Sequence, residues 1–275
     1  MAVQAKDLIF NGLSLSSIDS DLKLVAFDTS PSDTNVEFMD NKFDSSDINY
    51  NSPIVHFYNS TAKDTLQFDI MISNKYGEYL SQGVIKDLCN WLTSPVEPKV
   101  LSFVEYTDDE GKSVYSNVEF IGVFNQARYS EMGQSRKMGI GFTFTNISSF
   151  GFTRPFTTTI DNSSGGTIVA SIINSGTYTG LPIYPRIEIS PLEDGTVYIT
   201  NLSEQSIGSF GVNVTNGEDV VIEKFNVYDA NGNLYSFDNL TTLKFPYLVD
   251  GENLIEIRGK CICRITYRFY ENIGV

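Results

Sequence analysis

Pro182-Ile183-Tyr184-Pro185-Arg186-Ile187-Glu188-Ile189 and Gly251-Glu252-Asn253-Leu254-Ile255-Glu256-Ile257-Arg258-Gly259 decide the fold of this chain. Prolines open the first stretch, and a Gly-Glu-Asn turn opens the second. Each then alternates apolar with polar residues at a period of two, the pattern of a strand buried on one face. Neither places an acid, a base or a nucleophile for chemistry. The pattern is that of a β-sandwich used as building material, so the question becomes which assembly it builds.

The rest of the second half follows suit. Strands are expected at roughly 167–173, 184–190, 196–200, 206–214, 219–228, 234–237, 242–245, 253–258 and 261–270, with Asn231-Gly232 as a hairpin turn. Short strands at this spacing predict a β-sandwich of about 120 residues.

The first half is also strand-rich. Leu66, Phe68, Ile70 and Ile72 alternate with polar neighbours. Residues 100–106 are expected to pair with 114–123 across the turn Asp108-Asp109-Glu110-Gly111, and 138–144 continues the alternation. One segment breaks the period. Tyr76, Leu80, Val84, Leu88, Trp91 and Leu92 recur at spacings of three and four, which predicts a single amphipathic helix over about 76–92. Asn74 is its expected cap and Pro95 ends it, while Gly77 and Gly83 each weaken it by about 1 kcal/mol relative to Ala. Residues 39–52 read as a polar loop or arm, and residues 151–166 as an inter-domain connection. The expected organisation is two all-β domains, 1–152 with one helix and 153–275 as a sandwich.

Composition narrows the function. The 275 residues hold 19 Lys plus Arg and 34 Asp plus Glu, a formal charge of −15. Split near residue 152, the halves carry 11 − 20 = −9 and 8 − 14 = −6, so no basic module hides in the average. An acidic chain repels phosphate backbones, which argues against specific nucleic-acid binding. No run of about 18 apolar residues is present for membrane insertion, and no basic-then-apolar leader opens the sequence. Cys89, Cys261 and Cys263, with His56 as the only histidine, are too few for a zinc site or a disulfide framework. They read as structural thiols. Sequons such as those at Asn59, Asn201 and Asn239 read as ordinary turn and strand composition.

Catalytic templates fail on inventory. A Ser-His-acid triad would need His56, which sits in the strand-like run Pro53–Tyr58. There is no G-x-S-x-G elbow and no phosphate-cradling glycine loop; Gly139 and Gly141 lie within a strand. Asp108, Asp109 and Glu110 end in Gly111 and read as a solvated turn. Asp229-Ala230-Asn231-Gly232-Asn233 misplaces the glycine of a calcium loop and lacks its closing Glu. Thus no catalytic residue, no metal ligand set and no cofactor site is expected. Carbohydrate binding is the non-enzymatic alternative. Trp91, the sole tryptophan, lies on the helix's apolar stripe, leaving Tyr178, Tyr184 and Tyr247 as candidates to stack on sugars.

Four places, taken in order, resemble the distal tail (Dit) proteins of siphophages that infect Gram-positive bacteria. The opening Leu8-Ile9-Phe10-Asn11-Gly12-Leu13-Ser14, followed by Leu22-Lys23-Leu24, resembles that family's first strand and "NG" turn. Leu88-Cys89-Asn90-Trp91-Leu92 before a strand from Lys99 resembles its helix. Phe142-Thr143-Phe144 leading into Phe150-Gly151-Phe152 resembles the exit from its N-terminal domain. Leu248 to Ile257 and Arg264-Ile265-Thr266-Tyr267-Arg268 resemble its closing strands.

The resemblance implies a structural virion protein at the distal tail tip, assembled in the host cytoplasm. It implies a homo-hexameric ring built by the N-terminal domain around a DNA channel, with a galectin-like C-terminal sandwich projecting outward. Implied partners are the major tail (tube) protein, the tail-associated hub protein, and receptor-binding or baseplate proteins. Six copies would carry 6 × −15 = −90, a field that repels passing DNA. Unlike galectins, the second half holds no His and no Trp, so galactoside binding of that kind is not expected. The interface residues are not identified by the sequence; the outward loops 191–195, 203–208 and 229–233 are the candidates for partners.

Overall fold

The computed structural model describes residues 5–25, 39–46, 55–62, 66–107, 113–132, 136–204, 208–242 and 244–272. The chain divides into two compact units, Met1–Phe152 with Asn272–Val275, and Thr153–Glu271. Both are built from strands, as the alternating patterns require.

The first unit opens with β1 (Asp7–Phe10) and β2 (Leu13–Ser14). Asn11 and Gly12 join them with φ of 52° and 79°, the left-handed pair that a tight hairpin needs and that Asn-Gly supplies at little strain. Helix α1 (Leu15–Ile18) follows, then β3 (Leu22–Val25), β4 (Met39–Ser46), β5 (Val55–Ala62) and β6 (Gln67–Asn74). Helix α2 (Gln82–Thr93) precedes β7 (Lys99–Thr107), β8 (Ser113–Tyr115), β9 (Val118–Met132), β10 (Arg136–Asn146) and β11 (Gly151–Thr153).

The main sheet runs β2-β1-β7-β9-β10-β6-β3. Neighbouring strands lie about 4.8 Å apart, so β1 and β10 are three spacings apart along it. Yet the rings of Phe10 and Phe144 are 6.4 Å apart, and Phe68 on β6 is 6.4 Å from Phe103 on β7. The sheet therefore curls over an aromatic core. Ile85, Leu88, Trp91 and Leu92 of α2 are buried and belong to the same core.

Three expectations change here. The helix starts at Gln82 rather than near residue 76. Asn74 makes a turn instead of a cap, its Oδ1 accepting from the Tyr76 N–H at 2.7 Å, and Gly77 turns back at φ 73°. Ser81 caps α2, its Oγ accepting from the Val84 N–H at 3.2 Å. The single-helix expectation missed α1, whose four residues are too short to show a period. The polar stretch at 39–52 is no simple loop. Its residues 39–46 form β4, paired antiparallel with β5 from Met39↔Ala62 to Ser46↔Val55, while 47–52 fall outside the described residues. The turn Asp108–Gly111 also lies outside them, although Thr107↔Ser113 pairs the strands on either side.

The second unit comprises β12 (Phe156–Asn162), β13 (Thr167–Asn174), β14 (Arg186–Pro191), β15 (Gly195–Asn201), β16 (Phe210–Val214), β17 (Val220–Glu223), β18 (Asn226–Asp229), β19 (Leu240–Thr242), β20 (Gly251–Arg258) and β21 (Cys261–Tyr267). Sheets β12-β21-β14-β17-β18 and β13-β20-β15-β16-β19 enclose a core that includes Ile187, Ile189, Ile199, Phe210, Ile257 and Ile265. The isoleucines of the two opening stretches all point inward, as period two demands.

Further differences have local causes. The expected connection at 151–166 contains β11 and β12. Phe156-Thr157-Thr158-Thr159 shows no apolar alternation, yet β-branched threonines suit a strand, and Thr157 Oγ1 meets Thr266 Oγ1 at 3.2 Å across the pair. The expected strand 219–228 is a hairpin, β17 and β18, turned at Lys224-Phe225 without a glycine. The expected strand 234–237 is reduced to a bridge between Tyr228 and Leu234 and a 3-10 turn at Phe237–Asn239. The strand placed at 242–245 lies slightly earlier, as β19.

Candidate assembly surfaces

Cys261, Cys263 and Trp91 are built into the two hydrophobic cores. Cys261 and Cys263 point the same way on β21, fully buried, with Sγ atoms 3.6 Å apart. That contact and then burial push the Cys263 thiol up, while the same contact draws the Cys261 thiol down. Cys89 is a half-buried free thiol on α2. Trp91 is buried, and its Nε1–H donates to the Phe10 carbonyl at 3.0 Å, tying α2 to β1. His56 lies on β5 opposite Ser45. Gly139 and Gly141 lie in β10 opposite Ser73 and Met71 of β6.

The Asp229 loop is a turn. Its carboxylate accepts from Asn233 Nδ2 at 3.0 Å, from the Asn233 N–H at 2.8 Å and from the Asn231 N–H at 2.9 Å. These bonds, led by the Asn233 side chain, hold its pKa low. The sequon residue Asn201 is buried; its Nδ2 donates to the Tyr247 carbonyl and to Asn253 Oδ1, both at 2.8 Å. Its amide serves the fold and is closed to glycan attachment. Among the described residues, no three His, Cys, Asp or Glu side chains converge as metal ligands.

What stands out is surface. In the first unit a shallow depression lies between the β1–β2 turn and the end of α2, lined by Asn11, Leu13, Trp91, Pro95 and Val96. Val96 is 96% exposed there. The β4–β5 hairpin forms a sheet of its own that joins no other strand among the described residues.

In the second unit, Tyr184 and Tyr247 lie 5.6 Å apart, with Phe225 at 4.7 Å from Tyr184 and Phe245 at 5.8 Å from Phe225. Phe225 is 60% exposed and follows Lys224, whose φ of 55° is left-handed and unfavourable for a residue with a side chain. The tyrosines were legible as candidates. Phe225 was not, because Glu-Lys-Phe-Asn carries no turn signal and the hairpin that presents it was read as one strand. The Tyr178 N–H donates to the Tyr270 carbonyl at 3.1 Å. Of the partner loops, 191–195 is the turn between β14 and β15, 229–233 is the turn after β18 closed by the Tyr228–Leu234 bridge, and 203–208 is described only in part.

Comparison with known proteins gives these surfaces a setting. Residues 3–148 match the family model described as "Phage tail protein N-terminal domain", more than half of the chain. None of the curated proteins matches the sequence. Among solved structures, the Dit protein of phage SPP1, a hub of the adsorption apparatus in phages infecting Gram-positive bacteria, superposes with a TM-score of 0.62 at 11% identity. The match covers 96% of this chain and 98% of that one. A chain of the phage p2 baseplate, in its activated conformation with Ca, gives 0.50 at 10% identity, covering 95% and 97%. The same baseplate with Sr gives 0.51 at 11% identity, with the same coverage. The all-β fold expected from the strand patterns is thus the fold of a Dit protein, end to end, and the chain belongs to the family of phage tail proteins that carry this N-terminal domain.

Proposed function

We propose that the chain is the distal tail hub of its phage: six copies close a ring at the tail tip, joining the tail tube to the tail-associated hub protein. In this reading the first unit forms the ring around the DNA passage, and the second offers its loops to receptor-binding or baseplate proteins. The supporting observation is the likeness to SPP1 Dit, which runs through both units and leaves almost nothing of either chain unmatched. The role requires no catalytic step and no cofactor, and places the protein in the virion after assembly in the host cytoplasm. The separate β4–β5 hairpin is suited to be an arm that reaches a neighbouring subunit, and the depression at Leu13 and Val96 to be an apolar contact. Light scattering on the purified chain, with negative-stain images of the same fraction, tests the ring. Particles with a central hole and a mass of six times 30.7 kDa, or a multiple of that ring, are expected; assemblies without six-fold symmetry would refute it.

A second reading, a carbohydrate-binding adhesin or accessory baseplate protein, draws support from the cluster of Tyr184, Phe225, Phe245 and Tyr247. An exposed ring beside phenolic hydroxyls suits stacking on a sugar. Glycan-array binding that Phe225→Ala abolishes would favour it, and an array blank at high protein concentration would remove it.

A further inference from the structure

β13 is the outer strand of its sheet, paired with β20 in unbroken register from Thr167↔Arg258 to Asn174↔Gly251. Its other side joins no strand among the described residues. The eight residues Thr167-Ile168-Val169-Ala170-Ser171-Ile172-Ile173-Asn174 contain no charge, proline, glycine or bulge. Those are the devices by which edge strands usually refuse a further strand. Ile172 is buried against the core, while Val169 and Ile173, on the opposite face, are 48% and 66% exposed. With no further strand on the open side of β13 among the described residues, its row of N–H and C=O groups, flanked by Val169 and Ile173 on the outer face, fits one kind of occupant, another extended strand.

We propose that the occupant is β13 of a second copy of this chain, added antiparallel about a two-fold axis at Ser171. Charge argues for a like copy. Each chain carries −15, so most approaches of two copies set like charges together, whereas β13 presents eight uncharged residues to its equivalent. Register argues for the axis. For the sheet to continue flush, facing residues must lie on the same face, which restricts the axis to a residue rather than a gap between two. At Ser171, Val169 stands opposite the partner's Ile173 and Ile173 opposite the partner's Val169. Ala170 then faces the partner's Ile172 toward the core, and the two serines meet. An axis at Ala170 or Ile172 loses both outer apolar pairs. The contact is isologous and closes on itself, so it doubles whatever assembly the chain otherwise forms.

The full chain with Val169→Lys and Ile173→Lys tests this by light scattering. Each lysine lies across from a glutamate of its own sheet, Glu256 and Glu252, so the fold is kept while the edge is blocked. The mass is expected to fall to half that of wild type, with an unchanged melting curve; an unchanged mass overturns the proposal. The ratio keeps the two readings apart. A fall from twelve to six subunits agrees with the ring, and a fall from two to one refutes the ring while still supporting this contact. The second variant is Ser171→Cys under air oxidation. Facing positions of an antiparallel pair lie within disulfide reach. A cross-linked dimer on a non-reducing gel is expected, with wild type giving none. If Ser171→Cys stays monomeric on that gel, the axis is wrong and the proposal falls, as it does if β13 is found paired with a strand of a different protein.

Discussion

The Asn201 side chain donates from Nδ2 to Oδ1 of Asn253 at 2.8 Å, with both residues buried at the closing turn of the sandwich. Asn253 Oδ1 also accepts from the Val249 N–H at 2.8 Å, and its Nδ2 donates to the Val249 carbonyl at 2.9 Å and the Gly251 carbonyl at 3.0 Å. One amide thereby satisfies the backbone of the Val249–Gly251 turn and ties it to β15. A buried polar group is cheap only while its partners are all present.

Removing that amide should be expensive. Asn253→Ala leaves the Val249 N–H and the Asn201 amide with a lost partner each, and a loss of about 3 kcal/mol is expected. Urea denaturation of the two proteins measures it; a shift below about 0.5 kcal/mol would show that water replaces the side chain.

Trp91→Phe separates packing from hydrogen bonding in the first unit. The ring stays apolar, but the Phe10 carbonyl loses the donor at 3.0 Å. The expected loss is about 1–2 kcal/mol, read by circular dichroism during thermal unfolding.

Two glycines should respond in opposite directions. A Cβ on Gly122 would lie 2.1 Å from the Thr145 carbonyl oxygen and 2.7 Å from the Phe144 ring, so Gly122→Ala must part β9 from β10 and should cost about 1–3 kcal/mol. Gly83, inside α2, has only Ser81 Oγ nearby at 3.8 Å, and Gly83→Ala should stabilise by about 0.5 kcal/mol. Equal shifts in the two denaturation curves would contradict this.

Alkaline pH should unfold the protein early. Burial and then Tyr184 raise Tyr270, and burial followed by Glu218 and Asp229 raises Tyr235. Acids whose folded pKa is raised contribute stability that is full below their unfolded values. That stability is lost as pH climbs past those values, about 10 for Tyr. Melting temperature is therefore expected to fall beyond about pH 10; replacing Tyr270 by Phe should remove part of that fall.

Much of this molecule was legible residue by residue. Ile187, Ile189, Ile255 and Ile257 announced inward-facing strands because side-chain direction in a strand follows a fixed period of two, and Asn231-Gly232 announced a turn, with Gly232 at φ 80°, because few residues accept left-handed backbone. What failed was information that is not local. The threonines of β12 become a strand because β21 is there to pair with them. Lys224-Phe225 becomes a turn because β17 and β18 pair tightly enough to impose a left-handed lysine. The start of α2 moved because Asn74 and Gly77 found turn partners that outweighed the apolar spacing.

The sequence by itself determined an acidic, all-β chain with one substantial helix and the ordered motifs of a phage tail protein. Those properties reside in residue types and short spacings, which every conformation of the chain carries. The tertiary structure alone decided which surfaces face outward, such as the Phe225 cluster and the open edge of β13, and that β4 and β5 pair as a sheet of their own. Exposure and strand order depend on which distant segments pair, and pairing energies are summed over the whole fold rather than written at any one position.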